Sequence, residues 1–163
     1  MRIIRCDHEE RNGTVTKPGQ TDLFYVQEKS GKIEKRMEME DIIEEESRCT
    51  LISSSAGRLH VGDQGLNQVY ILYMEDGDLQ AAVCGSLEQW GEVSSIAGMH
   101  DGGLLVLDAV TQRILRISPT GELMGHAEVD GGLSDAVAIA SVNQSLVVAS
   151  NGLLTLYKVE EME

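Results

Sequence analysis

The chain has 163 residues, 42% of them hydrophobic and 25% charged, an ordinary composition for a soluble globular protein of one domain or at most two. With 27 acidic against 13 basic residues its net charge is −14, which repels phosphate backbones and anionic membrane surfaces, so neither nucleic acid nor membrane is an expected partner. The longest apolar runs, such as Gly103 to Leu107, are far too short to span a bilayer, and the composition excludes collagen, coiled coil and a disordered chain.

From the N-terminus, Met1-Arg-Ile-Ile-Arg turns polar at once. The expectation is a chain without a secretory leader, working in the cytoplasm. Arg2-Ile-Ile-Arg-Cys-Asp7 reads as a strand, followed by a long loop over 8–21. Asp22-Leu-Phe-Tyr-Val26 is a second strand, and the turn Lys29-Ser-Gly-Lys32 leads into a third from Ile33. Met37 to Arg48 fits either a short amphipathic helix, with Met39, Ile42 and Ile43 on one side, or a strand ending at Met39 with an acidic loop after it.

Further on, Gly57-Arg-Leu-His-Val-Gly-Asp63 and Gly102-Gly-Leu-Leu-Val-Leu-Asp108 match at an offset of 45 residues. The match continues, Asn67-Gln-Val-Tyr-Ile-Leu72 facing Gln112-Arg-Ile-Leu-Arg-Ile117. Asp76-Gly77, Thr120-Gly121 and Asn151-Gly152 are hairpin-turn signals, because glycine tolerates a positive φ. The last copy, Gln144-Ser-Leu-Val-Val-Ala-Ser150, replaces the aspartate with Ser150 and turns directly into Leu153-Leu-Thr-Leu-Tyr157. Four short strands in a period of about 45 residues is the signature of a propeller blade. Lettering each blade A to D from the inside, the chain reads B-C-D, A-B-C-D, A-B-C-D, A-B-C. The fold class expected is therefore all-β, a β-propeller or a propeller fragment of four-stranded antiparallel blades. Its parts are an incomplete blade over 1–48, blades over 49–92 and 93–132, and an incomplete blade over 133–163.

Asp63-Gln-Gly-Leu-Asn-Gln-Val-Tyr-Ile-Leu and Asp108-Ala-Val-Thr-Gln-Arg-Ile-Leu-Arg-Ile resemble the NHL-type repeat, best over 52–123. Gln68 stands where that repeat commonly carries a basic residue, the last unit lacks the aspartate, and 8–21 is an unusual insertion. The resemblance implies a propeller that serves as an interaction platform, although propellers of similar repeat include hydrolases and lyases.

Asp7, Asp63 and Asp108 end strands, where a carboxylate accepts N–H groups of the following turn, so they read as turn caps. His8, His60, His100 and His126 show no HxH or HExxH spacing, and no GxSxG or phosphate-binding glycine loop occurs. Ser53-Ser-Ser55 and Ser94-Ser95 fall on innermost strands, where small side chains suit close approach to the axis. Cys6, Cys49 and Cys84 form no CxxC or zinc pattern and read as reduced thiols. No enzyme activity, cofactor or metal is expected.

The functional expectation is a non-enzymatic interaction module or scaffold that binds another protein through a propeller face or strand edge. Residues 49–163 hold 15 acidic and 4 basic residues, which would steer a basic partner. Candidate partner-binding residues are Trp90, either an exposed anchor or inter-blade packing, and the acidic run Glu44, Glu45 and Glu46. The alternatives are a metal-dependent hydrolase of lactones or esters, with Asp63, Asp108, Asp135 and Asn143 around an axial ion, and an acidic inhibitory subunit. So few strands close alone only as a small ring. Otherwise they belong to a longer propeller, or need a second copy or another chain, giving a species larger than 17.8 kDa.

Overall fold

The computed structural model describes residues 2–5, 22–26, 33–38, 49–76, 78–84, 90–127, 129, 132–142 and 145–158. The chain divides into two compact units, 1–48 and 49–163. All regular structure among the described residues is β. In the first unit, β1 (Arg2–Arg5), β2 (Asp22–Val26) and β3 (Ile33–Glu38) form an antiparallel meander in that order. Met37 and Glu38 thus belong to a strand; 39–48, where the sequence allows a helix, lie outside the described residues.

The second unit is three antiparallel sheets. The first runs β4 (Cys49–Ser55), β5 (Arg58–Asp63), β6 (Gln68–Glu75), β7 (Asp78–Cys84). The second runs β8 (Val93–Gly98), β9 (Leu104–Asp108), β10 (Arg113–Ile117), β11 (Leu123–Ala127). The third runs β12 (Ala136–Val142), β13 (Ser145–Ser150), β14 (Leu153–Lys158) and stops there among the described residues. In each sheet every strand pairs with its neighbour in sequence, as short turns favour. β8 packs against β4 and β5 on one side and against β12 on the other, so the sheets stack through their first strands, as propeller blades do. The all-β blade architecture expected from the repeats is the architecture found.

Alternation along each strand builds two cores. Leu104 and Val106 of β9 face the first sheet and bury with Val69, Ile71, Cys84, Trp90 and Ile96. Leu105 and Leu107 face the other way and bury with Ile114, Ile139, Leu146 and Val148. The middle sheet is therefore apolar on both faces, and each of its buried large side chains contributes about 1.5–3 kcal/mol relative to exposure.

The turns follow their chemistry unevenly. Asn151 and Gly152, at φ of 41° and 79°, close the two-residue hairpin in which Ser150 faces Leu153, as Asn-Gly predicts. Ala56 and Gly57 close an equivalent hairpin between Ser55 and Arg58, with the alanine strained at φ 47°. Thr120-Gly121 does not make a two-residue hairpin. β10 ends at Ile117 and β11 begins at Leu123, and the wider loop is held by Ser118, whose N–H donates to the Glu122 carbonyl at 2.8 Å.

Candidate functional site

The repeat aspartates are spent on the backbone. Asp63 Oδ1 accepts N–H bonds from Gly65 (2.8 Å) and Leu66 (3.0 Å). Asp108 Oδ1 accepts those of Val110 (2.9 Å) and Thr111 (3.2 Å), and its two oxygens also take the N–H groups of Gly91 and Glu92. Burial by itself would raise the Asp108 carboxyl. The donors from Gly91, Thr111 and Glu92 outweigh it and hold the group below the usual aspartate value. These residues are turn caps. Asp7 lies outside the described residues.

A second device, unassigned from sequence, registers one blade on the next. Asn67, the left-handed residue before β6 (φ 52°), accepts the Val93 N–H at 2.7 Å and donates to the Gly91 carbonyl at 3.1 Å. Gln112, its counterpart 45 residues on and also at φ 52°, accepts the Ala136 N–H at 2.8 Å. Each amide thus holds the first residue of the following innermost strand. The repeat offset aligned these two residues; only the contact revealed their role. In the last sheet the turn is shortened. Asn151 donates to Asp135 Oδ2 at 2.8 Å, ahead of β12 in its own blade, so this residue makes no clamp toward a further sheet.

The innermost strands are stitched by serines. Ser53 Oγ accepts the Gly98 N–H at 2.9 Å, Ser95 Oγ accepts the Ile139 N–H at 3.0 Å, and Ser141 Oγ donates to the Gly98 carbonyl. Gly98 must be glycine, because a Cβ there would stand 2.6 Å from Ser55 Oγ and 2.8 Å from His60 Nδ1. His60 is wholly buried and its Nε2 meets the Gly102 carbonyl at 3.2 Å. Desolvation, opposed by that carbonyl, holds its pKa below 6.5, so it is neutral. Ser55 Oγ and His60 Nδ1 have no hydrogen-bond partner among the described residues. They are sealed under Gly98 rather than displayed to a substrate.

The remaining candidates separate. Trp90 is 4% exposed, packed between the first and second sheets with its Nε1–H on the Asn67 carbonyl at 2.9 Å. This corrects the exposed-anchor expectation in favour of inter-blade packing, because the indole fills the gap where the first sheet meets β8. Glu44, Glu45, Glu46, His8 and Asn143 lie outside the described residues. His100 and His126 are exposed, in a turn and on β11. No group of three His, Cys, Asp or Glu suited to an ion occurs among the described residues. Burial pushes the Cys84 thiol up to about 12, partly offset by the Ile71 backbone, so it is an inert apolar side chain at neutral pH.

The surface that stands out is the last sheet. Its near face supplies Ile139, Leu146 and Val148 to the second core. Its far face carries Ala138, Ala140 and Val142 on β12 and Leu154 and Leu156 on β14, all exposed. Leu154 is 77% and Leu156 67% accessible. β14 is also an edge strand among the described residues, presenting one row of backbone groups to solvent.

No family model matches the sequence, and no curated protein matches it. Solved structures do match in fold. A luciferin-regenerating enzyme is 18% identical with a TM-score of 0.56, over 82% of this chain and 45% of that one. A virginiamycin B lyase from Staphylococcus aureus is 16% identical with a TM-score of 0.55, over 88% and 50%. A glutaminyl cyclase from Myxococcus xanthus is 13% identical with a TM-score of 0.53, over 80% and 53%. At such identities the likeness shows the propeller-like fold alone. The chain spans about half the length of these structures.

Proposed function

We propose that this chain is a non-enzymatic protein-interaction module built of NHL-like repeats, which holds another protein at the β14 edge. The observation that carries the proposal is the third sheet, which among the described residues has three strands and presents β14 as an open edge. Two four-stranded sheets precede it, and it ends at an exposed β14 rich in leucine. An extended segment of a partner adds there as a fourth strand, main-chain hydrogen bonds giving affinity and alternate side chains giving specificity. The acidic balance favours a partner with a basic surface, and the setting proposed for this work is the cytoplasm.

The enzymatic alternative needs carboxylates free to converge on an ion or substrate. Asp63 and Asp108 are instead engaged by their own turns, which supports the module reading.

The test is hydrogen exchange across the full chain with and without a purified basic partner obtained by affinity capture. Protection confined to β14 and neighbouring β13, with affinity falling as salt rises, is the expected result. Protection centred on β8 and β9 with β14 unchanged, or divalent-ion-dependent turnover of an ester or lactone, would overturn it.

A further inference from the structure

We infer that the far face of the last sheet is a homodimer interface, closed by a second copy of this chain related by a two-fold axis parallel to the strands. The pairing register sorts this face into rows. Ala138, Ala149 and Leu154 make one row, and Ala140, Val147 and Leu156 the next. In both, side-chain size rises from alanine on β12 to leucine on β14. A two-fold axis along the strands lays the β12 of one copy over the β14 of the other. Leucines then meet alanines, and the middle strands face each other. That self-complementarity is what an isologous interface requires, and large-on-small contact is how apolar layers interdigitate.

Two further observations choose a second copy over the alternatives. Asn67 and Gln112 each clamp the sheet that follows, whereas Asn151 turns back on Asp135, so the docking device used for the next repeat along the chain is missing here. The two rows carry no charged residue, and the row beyond them, Val142, Ser145 and Lys158, carries a lysine but no carboxylate, although the chain is at −14; like-charged copies meet at least cost where neither presents a carboxylate.

The inference goes beyond the edge-binding reading, since it concerns the face of the sheet and not its edge, and its signature is opposite. Salt screens repulsion between two acidic copies and strengthens the dimer, whereas it weakens a basic partner. Sedimentation equilibrium of the full chain from 1 to about 100 μM, at low and high salt, is the experiment. The expected result is twice 17.8 kDa, with association strengthening at least several-fold as salt rises. Leu156→Glu should reduce it to monomer, and Val83→Glu, at another exposed apolar position, on β7 (57%), should leave it dimeric. Because Leu156 lies exposed in the single chain, Leu156→Glu keeps its fold, checked by an unchanged far-ultraviolet spectrum; Leu154→Lys is the second variant. A monomer at all concentrations, a dimer indifferent to both substitutions, or a mass that keeps growing with concentration would each overturn the inference. The first of these leaves a heterologous partner at β14 intact.

Discussion

At the scale of single residues, the inner ends of the blades are held by contacts that tolerate little change. A methyl group at Gly98 meets Ser55 and His60 at under 3 Å, so Gly98→Ala should lower stability by about 1–3 kcal/mol in denaturant unfolding. His60 gives a pH signature. Its folded pKa is depressed, so the unfolded chain binds the proton more readily and stability rises with pH up to the unfolded value near 6.5. The melting temperature should be level above that pH and fall as pH drops below it. His60→Gln should remove that step. Asp108 adds its own loss further down: its contribution is complete above the ordinary aspartate range and disappears as pH falls through its lowered folded value.

At the scale of elements, the clamps explain how each sheet is joined to the next. Backbone pairing fixes strands within a sheet but says nothing about the next sheet. Asn67 and Gln112 supply that link by reaching the first residue of β8 and of β12. Asn67→Gly keeps the left-handed backbone and removes only the side chain. It should cost about 1–3 kcal/mol, because it leaves the Val93 N–H without its acceptor. Asn151→Gly, which removes only an exposed contact to Asp135, should change stability by less than about 0.5 kcal/mol. Equal losses at the two sites in urea unfolding would show that the clamp is not what distinguishes them. The elements themselves were legible: the 45-residue offset placed strands near β5, β6, β9 and β10. The five-residue loop after Ile117 was not, because Thr120-Gly121 marks a turn without stating its length.

At the scale of the whole molecule, function depends on which surfaces are left uncovered. The module reading predicts that neither EDTA nor millimolar calcium moves the melting temperature, since a bound ion stabilises by RT ln(1+[L]/Kd). A shift in either direction would favour the ion-dependent alternative. Of the candidate site, the sequence marked the two described aspartates correctly as caps, because an Asp at a strand end acts on the turn that directly follows it. It offered Trp90 both as an anchor and as packing, because a lone aromatic between strands reads the same in either role. The apolar far face of the last sheet was not singled out: Leu153 to Leu156 read as an ordinary strand.

Repeated antiparallel β units can be read directly from residue order. Alternation, turn residues and the repeat offset are all carried by neighbours along the chain, and hydrogen bonding satisfies them locally. Which faces meet follows from packing between sheets. It buried Trp90 and both faces of the middle sheet, turned Asn67 and Gln112 into inter-blade clamps, and left the leucines of β14 exposed. The physical reason is that a strand's two faces have the same local chemistry, and burial of either depends on a sheet contributed by residues some 40 positions away.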